Sequence, residues 1–319
     1  MSLLAPALCL QGQIQTDKVR SLLNRGEFGQ AKAILESIPG SSQTTESRFL
    51  LGKVRYLWGH INVAVNLFEK AAEASPNNSE YFLWLGRALG RKAEKAMFLV
   101  APSLAGKSRD AFERAVEVDP NNLDARDDLL SFYLEAPDFL GGGKEKALAL
   151  VEQIEASHSC EFHIQRAEIY QKEKSFDLAE QELQKAIEVK PYCLRGYRAL
   201  SELLERRGRM SQAREKLEKT VQLFPKSPVA HFALGRFEVE TGGNLERARR
   251  ELELFLETYV AGEPFPFEAH YRLAEMFLKL KAPERALEEF QQALKAFPVH
   301  SLSLKGMAEA RRLLSSPAR

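Results

Sequence analysis

Apolar residues recur along this chain at the spacing of amphipathic helices, in segments of about 14 residues separated by glycine, proline or asparagine. Two kinds of segment alternate. One kind carries a leucine followed by a small residue, as at Leu51-Gly52, Leu85-Gly86, Leu200-Ser201, Leu234-Gly235 and Leu273-Ala274. The other kind has small residues 12 and 5 positions before a proline, as Ala64 and Ala71 stand before Pro76. Because small side chains let helix backbones approach closely, the pattern predicts antiparallel helix pairs.

The helix pairs repeat with a fixed period. Pro191 and Pro225 are 34 residues apart, whereas Pro76 and Pro120 are 44 apart, which is one period plus a ten-residue insertion. We predict eight repeats that begin near residues 12, 45, 79, 123, 160, 194, 228 and 267, and a capping helix over residues 301–314. Residues 1–11 are expected to form a lead-in or the remnant of an export signal, and residues 315–319 a tail.

This pattern resembles the tetratricopeptide repeat family, whose motif combines an aromatic residue, Leu-Gly, Tyr, Ala, a second aromatic residue, Ala and Pro. The resemblance covers nearly the whole chain. It implies an all-α fold, a right-handed solenoid of about eight antiparallel helix pairs plus a C-terminal capping helix, with one domain over residues 12–314. It also implies that the first helix of each pair lines a concave groove, and that the protein is a non-catalytic scaffold for protein–protein interaction.

The groove is predicted to bind another protein or a peptide, either extended or helical. Apolar anchors and basic residues are expected in its N-terminal third, and acidic residues that select a basic partner segment in its middle. The candidate groove residues are Arg20, Phe49, Lys53, Tyr56, Trp84, Arg87, Arg91, Asp124, Asp127, Asp128, Glu168 and Glu202. Because both signs of charge are present, binding is expected to be moderate and sensitive to salt.

Two insertions distinguish this chain from the plain repeat. Repeat 3 carries about ten extra residues around 92–106, and repeat 4 about five around 135–143. Both fall at hairpin tips of neighbouring repeats, so Phe98 and Phe139 are expected to meet and form a small apolar layer at one edge. Two interpretations stay open: a longer helix pair sealed by its own loop, or an edge that binds a partner or ligand.

Composition narrows the partner class. The chain has 319 residues, 45 Lys and Arg against 44 Asp and Glu, and three cysteines. This near-neutral charge argues against duplex nucleic acid, because phosphate binding needs a clustered excess of basic residues. The longest apolar stretch near the start, residues 3–10, is shorter than the roughly 20 residues of a membrane span, so no span is expected. The sequence as written suits the cytoplasm, or the periplasm or secretion if residues 1–12 are the tail of a truncated signal peptide.

No pattern of catalytic or metal-ligating residues stands out. His158, Cys160 and His163 fit no zinc spacing, and Gly141-Gly142-Gly143-Lys144 lacks the Ser or Thr of a phosphate loop. His231 and His270 occupy the same repeat position and are interpreted as packing residues. We therefore expect no enzyme activity, cofactor or metal. The alternatives to a peptide-binding scaffold are a self-associating structural array and a ligand carrier or enzyme that uses the insertion edge.

Overall fold

The computed structural model describes residues 16–39, 43–154, 159–262 and 264–315. The predicted lead-in, the start of the first repeat, His158 and most of the tail lie outside these ranges. Within them the regular structure is helical and contains no strand, which confirms the all-α fold of helix pairs. The helices are α1 (16–24), α2 (Phe28–Ser37), α3 (Thr45–Leu57), α4 (Ile61–Ala74), α5 (Ser79–Glu94), α6 (Ala101–Val118), α7 (Leu123–Glu135), α8 (Lys144–Glu152), α9 (Ser159–Lys172), α10 (Phe176–Val189), α11 (Leu194–Arg206), α12 (Met210–Leu223), α13 (Pro228–Thr241), α14 (Leu245–Thr258), α15 (Pro266–Lys279), α16 (Pro283–Ala296) and α17 (Ser301–Ser315).

The small residues of the repeat lie where the two helices of a pair touch. A methyl group on Gly52 of α3 would come within 2.6 Å of the Phe68 ring on α4. In the next pair, a methyl group on Gly86 would come within 2.5 Å of the ring of Phe112. Gly235 faces Leu252 in the same way. The absence of a side chain on the first helix therefore lets a large apolar side chain of the second helix lie against its backbone.

Polar side chains set the starts of several first helices. Thr44, Asn78 and Asn122 precede α3, α5 and α7, and each accepts a hydrogen bond from the backbone N–H three residues later. Such a cap satisfies one of the N–H groups that a helix start leaves without an intrahelical partner. Gly242 ends α13 in the left-handed conformation, at φ 66°. Local chemistry thus fixes where each helix begins and ends.

The chain divides into two compact units. Unit 1 comprises Ile34–Pro191 with residues 16–19, and unit 2 comprises Arg20–Ala33 with residues 192–315. The largest fully buried side chains of unit 1 are Phe49, Phe68, Leu35, Leu50, Leu130, Ile169 and Leu183. Those of unit 2 are Phe237, Phe255, Phe290, Leu200 and Leu203.

Within unit 2, the segment Arg20–Ala33 packs on the last repeats. The Phe28 ring lies 5.0 Å from that of Phe265 and 5.2 Å from that of Phe297, both edge-on. The backbone carbonyl of Asn24 accepts hydrogen bonds from the N–H of Gly262 and the hydroxyl of Tyr259, at 2.8 and 2.7 Å. Phe28 is 4% exposed. This segment therefore completes the core of unit 2, although it lies more than 200 residues earlier in the chain.

The insertion in repeat 4 forms a tied turn. Pro137 leads into a single 3-10 turn over Asp138–Leu140, and α8 then begins at Lys144. Arg109 donates to the carbonyl of Leu140, and Lys146 donates to that of Gly141. A Cβ on Gly142 would collide with the carbonyl of Ala136, so the glycine run is required by close backbone packing. These contacts fix the position of the turn.

The expected apolar layer at the insertion edge does not form. Phe98 and Phe139 are 87% and 81% exposed, so the two rings are not packed against each other. The physical reason is that each ring stands on a turn that projects from its own helix pair.

None of the helices in the described part of the chain combines the length and apolar character needed to cross a membrane.

A candidate binding surface on the first helices of unit 1

The first helices of repeats 2, 3 and 4 surround a depression of about 430 Å³ in unit 1. It lies between α3, α5 and α7, and α6 forms part of its floor. Its lining residues are Tyr56, Arg87, Gly90, Arg91, Glu94, Ser108, Phe112, Asp128, Ser131, Phe132 and Glu135. Tyr56, Arg87, Arg91 and Asp128 belong to the predicted groove residues, so the structure brings these four together.

Cations and aromatic rings are stacked along the α3–α5 side of this depression. The Lys53 ammonium lies 4.6 Å from the centre of the Trp84 ring, and the Arg87 guanidinium lies 5.1 Å from it. Arg91 lies 5.0 Å from the centre of the Tyr56 ring. Such contacts are attractive because the face of an aromatic ring carries partial negative charge. The stacking orders long basic side chains that would otherwise sample many rotamers.

Two of the predicted cations are neutralised inside unit 1. Arg87 Nε donates to Asp128 Oδ2 at 2.5 Å, and Lys53 Nζ lies 3.2 Å from Glu80 Oε1. Burial raises the pKa of Asp128, and the hydrogen bond from Arg87 offsets only part of that effect. The Arg87–Asp128 pair thus joins α5 to α7. Because the two charges neutralise each other, neither is available to attract a partner of opposite charge.

Other predicted acidic residues are also engaged or lie outside the depression. Asp127 accepts a hydrogen bond from the buried Gln165 at 2.8 Å. Asp124 is exposed in the first turn of α7, where a carboxylate favours the helix start. Glu168 is partly exposed on α9. Glu135, which the sequence did not single out, lines the depression and pairs with Lys172 at 2.7 Å.

Phe49 has no surface to offer a partner. Its side chain is 0% exposed, and its ring packs 4.4 Å from that of Tyr81 and 5.6 Å from that of Phe68. The expectation that Phe49 acts as an apolar anchor in the groove is therefore corrected: it is a core residue of unit 1. Tyr56, two helix turns further along α3, is partly exposed, and the sequence pattern did not separate the two positions.

The remaining predicted residues, Arg20 and Glu202, lie in unit 2. Arg20 is partly exposed and belongs to the segment that packs on the last repeats. Glu202 pairs with Arg198 at 3.4 Å and lines a second, smaller depression of about 190 Å³.

Three histidine–glutamate pairs, which the sequence analysis did not identify, join the helices of single repeats. Nδ1 of His163, His231 and His270 lies 2.6, 2.6 and 2.7 Å from a carboxylate oxygen of Glu182, Glu251 and Glu289. In the sequence, each of these histidines is followed by its glutamate 19 or 20 residues later, and this spacing could have indicated the pairs. His231 and His270 thus hold helices together, as the packing interpretation of their repeat position suggests.

Comparison with known proteins agrees with this architecture. Three family models described as tetratricopeptide repeat match residues 161–193, 194–237 and 232–301. Human IFIT1, solved as a dimer with PPP-AAAA, is similar in structure: the identity is 17%, 90% of this chain and 70% of that chain are covered, and the TM-score is 0.50. A tetratricopeptide repeat protein from Parabacteroides merdae has 17% sequence identity to this chain and a TM-score of 0.46. The match covers 84% of this chain and 98% of that protein. A comparison with curated protein sequences finds no match.

The fold defines an all-α protein built from consecutive helix pairs, in which each pair packs mainly on its neighbours. The matches to three tetratricopeptide repeat models over residues 161–301 agree with the repeat that the sequence and the helix pairs show. The chain is a tetratricopeptide repeat protein. This fold is generally non-catalytic and generally serves as a scaffold that binds proteins or peptides.

Proposed function

We propose that the depression between α3, α5 and α7 binds a peptide segment of a partner protein. The observation that carries this proposal is the composition of its lining. Tyr56 and Phe132 offer apolar surface, Ser131 is exposed, and Glu94 and Glu135 supply carboxylates. A concave surface with apolar area and a few convergent polar groups is typical of peptide recognition.

The charges support a partner segment that carries a basic residue beside an apolar one. Arg87 and Asp128 neutralise each other, which leaves Glu94 and Glu135 as the acidic groups of the lining. Glu135 shares its charge with Lys172, whose side chain is 42% exposed and can be displaced. Arg91, stacked on Tyr56, is placed to donate to backbone carbonyls of the bound segment. Because the charges are partly exposed, affinity is expected to fall as salt rises.

Selection of a random peptide library on the immobilised full chain, followed by calorimetry with individual peptides, tests the proposal. Ser131→Tyr fills the depression without adding charge, and Glu94→Gln removes one rim carboxylate. The matched controls are Ser211→Tyr and Glu309→Gln, both exposed and in unit 2.

We expect Ser131→Tyr to weaken binding of the selected peptides by at least about tenfold, which corresponds to about 1.4 kcal/mol. Glu94→Gln should weaken basic peptides more than neutral ones. The proposal is wrong if library peptides bind the Ser131→Tyr variant as tightly as the unsubstituted protein, or if none is enriched.

Self-association is a second candidate because α17 exposes leucine side chains. Capping helices of repeat arrays usually present a polar outer face. Here Leu302 and Leu313, eleven residues apart and so on the same side of α17, are 48% and 44% exposed. We propose that this face pairs with a second copy of the chain. Light scattering over a concentration series should show a dimer that Leu302→Glu with Leu313→Glu abolishes, and a monomer at all concentrations would refute this candidate.

A further inference from the structure

The turn between α5 and α6 presents two large apolar side chains at its apex. The carbonyl of Met97 accepts hydrogen bonds from the N–H groups of Val100 and Ala101, at 2.9 and 3.0 Å. Phe98 and Leu99 therefore occupy the central positions of a tight turn. Neither residue has a positive φ, so the turn is right-handed and leads into α6, a conformation that most residue types can adopt. The backbone therefore does not require phenylalanine or leucine at these two positions.

These side chains contribute little to the packing of unit 1. Phe98 and Leu99 are each 87% exposed, and the neighbouring Met97 and Val100 are 79% and 45% exposed. A single exposed apolar residue is ordinary, but four consecutive ones at a projecting turn form a contiguous apolar surface. Apolar surface that the folded unit leaves exposed in this way points to a binding role.

The turn stands on a well-packed support. Leu104, one turn into α6, is buried, and the hydroxyl of Ser108 donates to the carbonyl of Gly86 on α5 at 2.8 Å. The ring of Phe112 lies against Gly86. These contacts hold α5 and α6 together, so Phe98 and Leu99 project from a fixed position rather than from a loose loop.

The surroundings of the turn are basic. Residues 92–107 contain Lys92, Lys95 and Lys107 but only one acidic residue, Glu94. Lys95 and Lys107 are exposed, and Lys92 is partly exposed. In the described part of the chain, the structure records no ion pair for these three lysines. The local net charge of this segment is therefore positive, whereas the chain as a whole is close to neutral.

We propose that this turn docks on an anionic lipid surface, with Phe98 and Leu99 inserted among the headgroups and acyl chain ends and with Lys92 and Lys95 facing lipid phosphates. A convex apolar apex suits a bilayer, because lipids rearrange around a projecting side chain. Apolar insertion and lysine attraction to anionic lipids act together in such peripheral binding. Neither requires a membrane-spanning helix.

Sedimentation of the full chain with lipid vesicles tests the proposal. The vesicles contain phosphatidylcholine alone or phosphatidylcholine with phosphatidylglycerol, at low and at high salt. The apolar variant is Phe98→Ser with Leu99→Ser. Its matched control is Tyr192→Ser with Val260→Ser, two residues of unit 2 that are 68% and 78% exposed. The charge variant is Lys92→Glu with Lys95→Glu. Because all these positions are at the surface, circular dichroism should show unchanged helix content.

We expect the unsubstituted chain to sediment with the anionic vesicles at low salt and to be released at high salt. The apolar and charge variants should each lose at least about tenfold in partitioning, whereas the control pair should bind normally. The proposal is overturned if the chain stays in the supernatant with anionic vesicles. Binding that the apolar variant retains in full, or equal binding to neutral vesicles that the charge variant does not alter, would also overturn it.

Discussion

Gly86 lies beneath the ring of Phe112, so closely that a methyl group on Gly86 would be 2.5 Å from the ring carbons Cδ1 and Cε1. In an exposed helix interior, alanine in place of glycine stabilises by roughly 0.5–1 kcal/mol. At Gly86 the clash should reverse the sign, and we expect Gly86→Ala to lower the free energy of unfolding by about 1–3 kcal/mol. Chemical denaturation measures this change.

Gly106 provides the matched control, because it also lies within a helix and a Cβ there would meet nothing within 4 Å. Gly106→Ala should be neutral or stabilising. If Gly86→Ala proved as stable as Gly106→Ala, the close contact between α5 and α6 would not set the helix spacing.

The Arg87–Asp128 pair should couple α5 to α7. Both side chains are less than a third exposed, at 28% and 27%. A double-mutant cycle with Arg87→Met and Asp128→Asn should give a coupling free energy of about 0.5–3 kcal/mol. The exposed pair Arg249 and Glu253, at 42% and 46% exposure, should show much weaker coupling in the same measurement, because solvent screens it. Equal coupling in the two pairs would contradict a structural role for the α5–α7 bridge.

His231 should make stability depend on pH. Its Nδ1 lies 2.6 Å from Glu251 Oε2 and its Nε2 lies 3.0 Å from the carbonyl of Pro225, so only the doubly protonated ring can donate to both. The hydrogen bond to Glu251 raises the pKa of His231, against the opposing effect of burial. The stabilisation is therefore fully present below the ordinary pKa of about 6.5 and is lost as pH rises through the folded-state pKa.

Thermal unfolding of the unsubstituted chain and of His231→Asn, from pH about 6 to about 9, measures this effect. The difference in Tm between the two proteins should shrink as pH rises. His60→Asn, at an exposed position before α4, serves as the control. A Tm difference that is constant across the range would show that His231 contributes through packing alone.

Phe28→Ala should destabilise unit 2. Phe28 is buried against Phe265, Phe267 and Phe297, and truncation of a core phenylalanine costs about 3–5 kcal/mol. Hydrogen exchange should show faster exchange in α15 and α16, and little change in the amides of α5 to α7. Phe139→Ala, at an 81% exposed ring, should leave exchange unaltered. Unchanged protection of α15 in the Phe28→Ala variant would contradict the contact.

Much of the fold could be predicted from local sequence, because each helix boundary is set by nearby residues. Asn78 and Asn122 cap α5 and α7 at the positions that the proline and asparagine pattern indicates. The first helices of repeats 2 to 8 begin at Thr45, Ser79, Leu123, Ser159, Leu194, Pro228 and Pro266, each within one residue of the predicted start. The Leu-Gly pattern also locates the close contacts at Gly52 and Gly86.

The binding surface could be predicted less well, because side-chain pairing depends on contacts between repeats. Arg87 and Asp128 were expected to attract a partner by charge, but they neutralise each other across 41 residues of sequence. Phe49 and Tyr56 both belong to an aromatic pattern, and only the packing of Phe68 and Tyr81 separates the buried ring from the one at the surface. The sequence shows both insertions as extra residues within a repeat. It does not show that Phe98 and Phe139 are exposed, because the positions of these rings depend on the backbone hydrogen bonds of the turns.

The contact of Phe28 with the last repeats also affects the order of events during synthesis. Residues 20–33 are synthesised more than 200 residues before their partners at 259–300. At translation speeds of about 5–20 residues per second, the Phe28 ring waits roughly 10–50 s for its neighbours. During that interval a nascent chain exposes this ring to other nascent chains and to chaperones, so this segment reaches its final environment long after it is synthesised.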